Sequence, residues 1–504
     1  MMKNKLISNI LAFLLLLSAS GCKKFLEEYS QDEIRPSSAT DLQQLMIGEV
    51  YPIKTHFIKY IDLMTDDVTS NFVNDQNTLY RLYNGEPAFT WRADMFEMMA
   101  EKGLAAVDSY DHYYRCIKGC NVVMDMIEKV SGSEGDKANV KGQALAMRAY
   151  YHFMLVNVFA QPYNAVGLDL EKAPGVPLML SSVVSDELPS RASIAQVYRQ
   201  VEADLLAAAP LLEQYGQKNS KLKASDLFVY TLLSRMYLYM EKWDKAVEYA
   251  GKVIARKPQL LKLSNYAIPV NTANSTVNVF DLNSPEAIWM FSSHEELNQF
   301  FALPAAYGQP AFYEVSPGLS ASYDYNWTTG AANKKDLRPA FFYTRYYISA
   351  TTYDVKLLYG SKTGSSYYTK GMRVSESYLN RAEGLIQQYL ENGDEALRLA
   401  ALADLNYLRE YRYDTRTVSY VPVNIANGQA LLDFCREERR RELCFEEHRW
   451  FDLKRYGMPQ LKHTFRGFDN QSPREYILEK GDKRYVLPLP ETVLRRNPNL
   501  IPNP

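Results

Sequence analysis

Glu438, Glu442 and Glu446 stand four residues apart, a spacing that puts three carboxylates on one face of a helix. Paired carboxylates are the equipment of acid–base hydrolysis, glycoside cleavage above all. Here they interleave with Arg436, Arg439, Arg441 and Arg449. Ion pairs at i,i+3 and i,i+4 account for that arrangement, so it is given no acid–base role. His112, Cys116 and Cys120 form another stripe at four-residue intervals. Three ligands on one straight helix cannot enclose a metal tetrahedrally. They are expected to be small buried packing residues, and no metal site is expected. Cys435 and Cys444 lie about 13 Å apart along a helix axis, too far for a disulfide. Spacing leaves pairing between the two cysteine couples open. His294-Glu295-Glu296-Leu297-Asn298 opens like a zinc-protease helix but lacks the second histidine. No glycine-rich phosphate loop or nucleophile elbow occurs. The chain is expected to be neither an enzyme nor a cofactor carrier.

Binding chemistry remains. Sugar rings expose flat C–H faces that pack on aromatic rings, while their hydroxyls need donors and acceptors. Trp91, Tyr307, Tyr313, Tyr323, Tyr325 and Trp327 fall in segments without helical periodicity and are the candidate platform, with Gln309, Asp324 and Asn326 as polar neighbours. The Tyr323–Trp327 cluster is the foremost of these. Trp243 falls on a repeat turn, Trp289 on a strand and Trp450 in a helical motif, and all three are expected to be structural. The 504 residues include 38 Tyr, far more than the 21 Phe or 5 Trp, and a tyrosine's apolar body and polar tip suit a wet contact surface. With 57 Lys+Arg against 59 Asp+Glu, the chain lacks the basic excess of a nucleic-acid binder. At 47% hydrophobic and 23% charged residues the composition is that of a globular chain.

The elements that must position these residues are mostly helices in pairs. Periodicity predicts helices over 108–130 and 137–159, separated by the Ser131–Gly135 breaker. Ser193-Ile194-Ala195-Gln196 reads as a capping box opening another. Helices over 224–240 and 245–256 carry Tyr230, Leu233, Ser234, Tyr237, Ala246, Ala250, Val253 and Pro258 at the spacings of a tetratricopeptide repeat. A second copy spans 375–389 and 397–411, with Gly393-Asp394 at its turn. Residues 285–291 read as a short strand. Residues 163–190 and 300–330 have no regular period, and long loops of this kind are usually functional. The expected fold is mainly α: a tetratricopeptide-like α/α superhelix with large irregular loop insertions and a few short strands.

At the N-terminus Lys3 and Lys5 precede the apolar run Ile10–Leu17, then Ser18-Ala19-Ser20-Gly21 and Cys22. This is the three-part layout of a secretory signal, and its end resembles a bacterial lipobox. Eight apolar residues span roughly 12 Å as helix, too short to cross a bilayer. Residues 1–21 are expected to be removed and Cys22 to carry acyl chains that hold the protein on a membrane.

Several motifs coincide. Cys435–Arg455 resembles the ER…EL.FEG.RW.DL.R motif of the SusD/RagB outer-membrane lipoproteins. Tyr485–Pro490 with Asn497–Leu500 resembles that family's C-terminal ending, Arg373–Glu383 resembles its RLAE.YL.RAE helix, and Asp336-Leu337-Arg338 fits as well. The chain departs at Glu447, where the family often has Gly, and at Ser375, often Ala. The resemblance implies one SusD-like domain over 22–504, with an N-terminal part to about residue 230 and a C-terminal part from about 270. It implies a cell-surface lipoprotein of the outer membrane that binds oligosaccharides without cleaving them. It would deliver them to a SusC-like TonB-dependent transporter, its helices toward the transporter and its loops toward the ligand. A peptide-binding member is the alternative, and a lipid-anchored glycoside hydrolase a more distant one.

Overall fold

The computed structural model describes residues 35–52, 57–71, 79–104, 109–183, 185–268, 279–291, 300–301, 311–325, 335–343, 345–347, 355–357, 368–467 and 472–503. The lipobox and Cys22 lie outside them. The first half is built from α1 (Ala39–Leu45), α2 (Tyr80–Phe89), α3 (Met95–Glu101), α4 (Ser109–Met126), α5 (Glu134–Phe159), α6 (Ile194–Tyr215), α7 (Asp226–Tyr239) and α8 (Trp243–Arg256). Short α9 (Pro317–Ser322) and α10 (Arg338–Phe342) lead to the second repeat, α11 (Val374–Asn392) and α12 (Glu395–Arg412). Then come α13 (Gly428–Leu443), α14 (Arg449–Arg455) and α15 (Glu491–Arg496).

Local chemistry sets these boundaries. α5 begins three residues before its apolar period because Ser133 accepts from the Asp136 amide, and Glu134 and Asp136 sit at the positive end of the dipole. The capping box at Ser193 and Gln196 forms in both directions. α11 ends where Gly393 turns left-handed at φ 74°, and Asp394 caps α12. Within 300–330, where no period was evident, Ser316 caps α9 with a proline in its first turn, a start signal too local for periodicity to reveal.

Successive helices pack in order from α4 to α8, and α8 then packs on α11, which also receives α12 and α13. The repeat's wedge residues behave as expected. Tyr230 and Tyr237 are buried, and their hydroxyls donate to Glu213 and Glu202 on α6. The strands form two-stranded antiparallel pairs: β1 (Val68–Ser70) with β3 (Tyr313–Val315), β2 (Ala287–Phe291) with β6 (Lys370–Arg373), β4 (Arg345–Tyr347) with β5 (Val355–Leu357), and β7 (Leu461–Phe465) with β8 (Arg474–Leu478). Gly371 is required in β6, because a Cβ there would stand 1.9 Å from the Trp289 carbonyl oxygen. Cys116, Cys120, Cys435 and Cys444 are all free and buried. Trp289 and Trp450 are buried, and Trp243 is half-buried against the core.

Lys454 on α14 is buried and donates to the carbonyls of Asn157 (2.5 Å) and Ala160 (2.8 Å), closing the C-terminus of α5. Burial pushes its amine down to about 7. The unfolded chain keeps that proton to about pH 10.4, so this group makes folding more favourable as pH rises above 7, by up to about 1.4 kcal/mol per pH unit. Urea unfolding of the wild type and Lys454→Met between pH 6 and 8.5 should show the wild type gaining relative to the variant above pH 7. The buried thiols, whose pull is opposite, cancel in that difference. A constant difference would refute the expectation.

Glu447 has φ 66°, in the left-handed region that glycine enters freely. The glycine common there in the resembled family therefore has a backbone reason. Glu447→Gly should raise the urea midpoint by relieving about 1 kcal/mol of strain. A lower midpoint would mean that the glutamate's own contacts outweigh it.

Candidate functional site

Of the six aromatic candidates, Tyr307 and Trp327 lie outside the described residues. The other four are buried and do not form one platform. Tyr313 is fully covered in β3, its hydroxyl donating to the Leu82 carbonyl at 2.6 Å. Tyr323 is held between α9 and α13, its hydroxyl 2.6 Å from that of Tyr343 and donating to the Arg441 carbonyl at 2.8 Å. Tyr325 follows it and is also buried. Asp324, by contrast, is exposed and stands 3.7 Å from Lys335. Absence of helical period suggested exposed loops; instead the phenol tips reach internal carbonyls and let the rings bury. As open stacking faces, Tyr313, Tyr323 and Tyr325 are corrected to structural residues.

Trp91 is the exception in position, though it too is 1% exposed. It sits just after α2, where Trp91 N–H donates to Ala88 and Arg92 N–H to Pro87, the two bonds of a Schellman motif. That motif puts Trp91 at φ 53°, where glycine is the usual choice. Its indole N–H donates to the Met64 carbonyl at 2.9 Å. The ring borders a cleft of about 130 Å³ between the α2–α3 turn and the C-terminal segment. Met64, Met95, Leu487 and Pro488 supply further apolar lining, and Asn503 a polar edge. Arg92 and Arg484 stand at the rim, with side chains 51% and 38% exposed. Asp94 holds the first at 3.0 Å and Asp482 the second at 2.6 Å. Both carboxylates are kept below the usual range by these hydrogen bonds, so both rim pairs are charged. An apolar floor with charged donors at its rim suits a saccharide ring or another small polar group with one apolar face. Arg92 and Arg484 were not foreseen. Arg92 adjoins a predicted platform residue, but only the fold brings Arg484 beside it.

The three glutamates do not share one helix: Glu438 and Glu442 lie on α13, which ends at Leu443, and Glu446 lies in the turn beyond it. Glu438, Glu442 and Glu446 are buried within a cluster that also holds Glu286, Asp336, Arg338, Arg373, Arg409, Arg412 and Arg441. Glu438–Arg441 is an intrahelical pair at 2.8 Å, as the spacing implied. Most partners come from elsewhere: Arg338 to Glu438 at 2.7 Å, Arg412 to Glu442 at 2.8 Å and Arg373 to Glu446 at 2.6 Å. Arg439 and Arg449 likewise pair with Asp452 and Asp66, at 2.8 Å each. The intrahelical expectation is therefore corrected to a network joining Glu286 just before β2, β6, α10, α12, α13 and Glu446 just beyond α13. Burial pushes the Glu438 carboxyl up, but Arg338, Arg441 and Arg409 outweigh it and hold it well below the ordinary range. A carboxylate held this way has no proton to give at neutral pH.

Residues 24–238 match the family described as "Starch-binding associating with outer membrane", and residues 300–504 match the one described as "SusD family". SusD-like protein P2 of Formosa agariphila is 24% identical, with 97% of this chain and 97% of the relative covered. A SusD superfamily protein of Bacteroides thetaiotaomicron has a similar fold, with TM-score 0.65 at 21% identity, over 93% of this chain and 100% of that one. A SusD-like carbohydrate-binding protein of Bacteroides vulgatus gives TM-score 0.61 at 18% identity, over 92% and 97%.

Proposed function

The chain belongs to the SusD family, and from that premise we propose that it is a surface lipoprotein that binds oligosaccharides without cleaving them and delivers them to a SusC-like TonB-dependent transporter. Cys22 is its lipidation site and the outer membrane its location. The cleft at Trp91 is one ligand contact, with Arg92 and Arg484 donating to sugar oxygens over an apolar floor. Tyr307 and Trp327 remain platform candidates. The observation that carries the reading is this pairing of a buried apolar floor with two exposed guanidinium groups, each held against a neighbouring carboxylate. The carboxylates of Glu438, Glu442 and Glu446 that suggested hydrolysis are instead bound to arginines, which favours binding over turnover. A protein lacking its first 22 residues, run on native gels containing neutral and acidic glycans, should be retarded by at least one. Arg92→Ala with Arg484→Ala should weaken that retention by about 10- to 100-fold, the worth of one or two charge-assisted hydrogen bonds. Undiminished retention would remove the cleft from the site. Binding to peptides and to no glycan would favour the peptide alternative.

A further inference from the structure

His463, the third residue of β7, is 3% exposed and lies between two aromatic faces. The Phe89 ring stacks on it at 4.2 Å and 16°, and the Trp91 indole at 4.2 Å and 24°. Its Nδ1 is 2.6 Å from the Phe89 carbonyl oxygen and its Nε2 2.9 Å from that of Thr65. A carbonyl oxygen only accepts, so each contact requires an N–H on the ring. Neutral imidazole has one N–H, and only imidazolium has two. A flat cation between two π faces is also stabilised by their quadrupoles.

The surrounding charges are nearly balanced. Beside Thr65, Asp66 pairs with Arg449 at 2.8 Å, and Asp67 with Arg440 at 2.7 Å. Asp62, in the turn before them, pairs with Lys370 at 3.3 Å. On the α2 side Glu86 faces Lys102 at 3.9 Å and Arg92 holds Asp94. On the hairpin, Lys462 pairs across to Glu475 at 2.7 Å, and Tyr476 lies opposite His463. Burial lowers the ring's pKa, while the two carbonyls and Asp66 act against that.

We propose that His463 is a proton-operated positioning residue for Trp91. Doubly protonated, it ties the Phe89 carbonyl at the end of α2 to the Thr65 carbonyl beside Met64, the acceptor of the Trp91 indole, and so holds the left-handed Trp91 turn. With one proton lost, one carbonyl faces a ring lone pair, and the turn that borders the cleft loosens. Proton binding at a strand about 370 residues away thus sets the order of the cleft's tryptophan.

The test uses the protein alone, so its failure leaves the glycan reading standing. Nitrogen NMR of labelled protein between pH 4 and 8 follows the His463 ring, assigned by its loss in His463→Phe, and the Trp91 indole N–H, assigned by Trp91→Phe. The expected result is two protonated ring nitrogens at low pH and one at high pH. The midpoint should lie on the acid side of the ordinary histidine value near 6.5, with the Trp91 indole resonance shifting at the same pH. His463→Phe keeps the stack without an N–H and should abolish the Trp91 transition. A single ring proton throughout, or a His463 transition that the Trp91 resonance ignores, overturns the proposal, and both are read in the wild type even if a variant fails to fold.

Discussion

Glu442→Gln should destabilise the protein by about 3–5 kcal/mol, the cost of stripping one partner from a buried charge cluster. The substitution preserves shape and volume, so little packing is lost. Its effect comes from the three arginines left behind. Glu442 is fully buried and accepts from Arg412 at 2.8 Å, from Arg373 at 2.9 Å and from Arg338 at 3.4 Å. A neutral amide cannot balance them, and its NH₂ group adds a donor where only acceptors are useful. The check is urea unfolding of the protein without its signal sequence, with Arg199→Gln as the control. Arg199 pairs with Glu171 at 2.5 Å but both side chains are more than half exposed, so its loss should leave the urea midpoint nearly unchanged. Equal midpoint shifts in the two variants would show the buried cluster to be energetically ordinary.

The same cluster fixes the sign of the acid response. Burial pushes the Glu442 carboxyl up, but Arg412, Arg373 and Arg338 prevail and hold it below the ordinary range. Its stabilisation is therefore fully present above the unfolded value near 4.3 and is lost as pH falls below it. The wild type should lose stability steeply below that point, and Glu442→Gln should respond more shallowly.

This cluster also marks the limit of what spacing reveals. A row of glutamates and arginines on one helix predicts neighbours on that helix, and Glu438–Arg441 obeys. Arg338, Arg373 and Arg412 lie 30 to 104 residues away from Glu442. No local rule points to them; the family motifs that include Arg338 and Arg373 were the only trace. The helices were legible for the opposite reason. Repeat wedges such as Tyr230 and Tyr237 act within 3.6-residue periods, and caps such as Ser193 act within three residues. Both kinds of signal are wholly local. The aromatic site was read from non-periodicity, which says only that a segment is not a helix. It cannot distinguish a ring offered to solvent from one, like Tyr313, whose hydroxyl finds a carbonyl 231 residues distant. Among the described residues, phenol tips such as those of Tyr230, Tyr237, Tyr313 and Tyr323 satisfy carbonyls and carboxylates inside the fold.

Trp91 unites the local and the distant, and its substitutions should rank in an unusual order. Removing the buried indole opens a cavity beside His463 and Met64 and frees the Met64 carbonyl, so Trp91→Ala should cost about 3–5 kcal/mol. At most exposed or helical positions glycine would cost about 1 kcal/mol more than alanine. Here φ is 53°, and an alanine Cβ pays the left-handed penalty that glycine escapes. Trp91→Gly should therefore unfold at a higher urea concentration than Trp91→Ala, by about 1 kcal/mol, although it removes one carbon more. Trp91→Phe keeps a ring against His463 but loses the indole donor, and should fall between alanine and the wild type. If alanine proves more stable than glycine, the turn has relaxed out of the left-handed region once the indole is gone. The tryptophan's own packing would then be what forces the strained backbone, and the Schellman bonds of α2 would merely follow it.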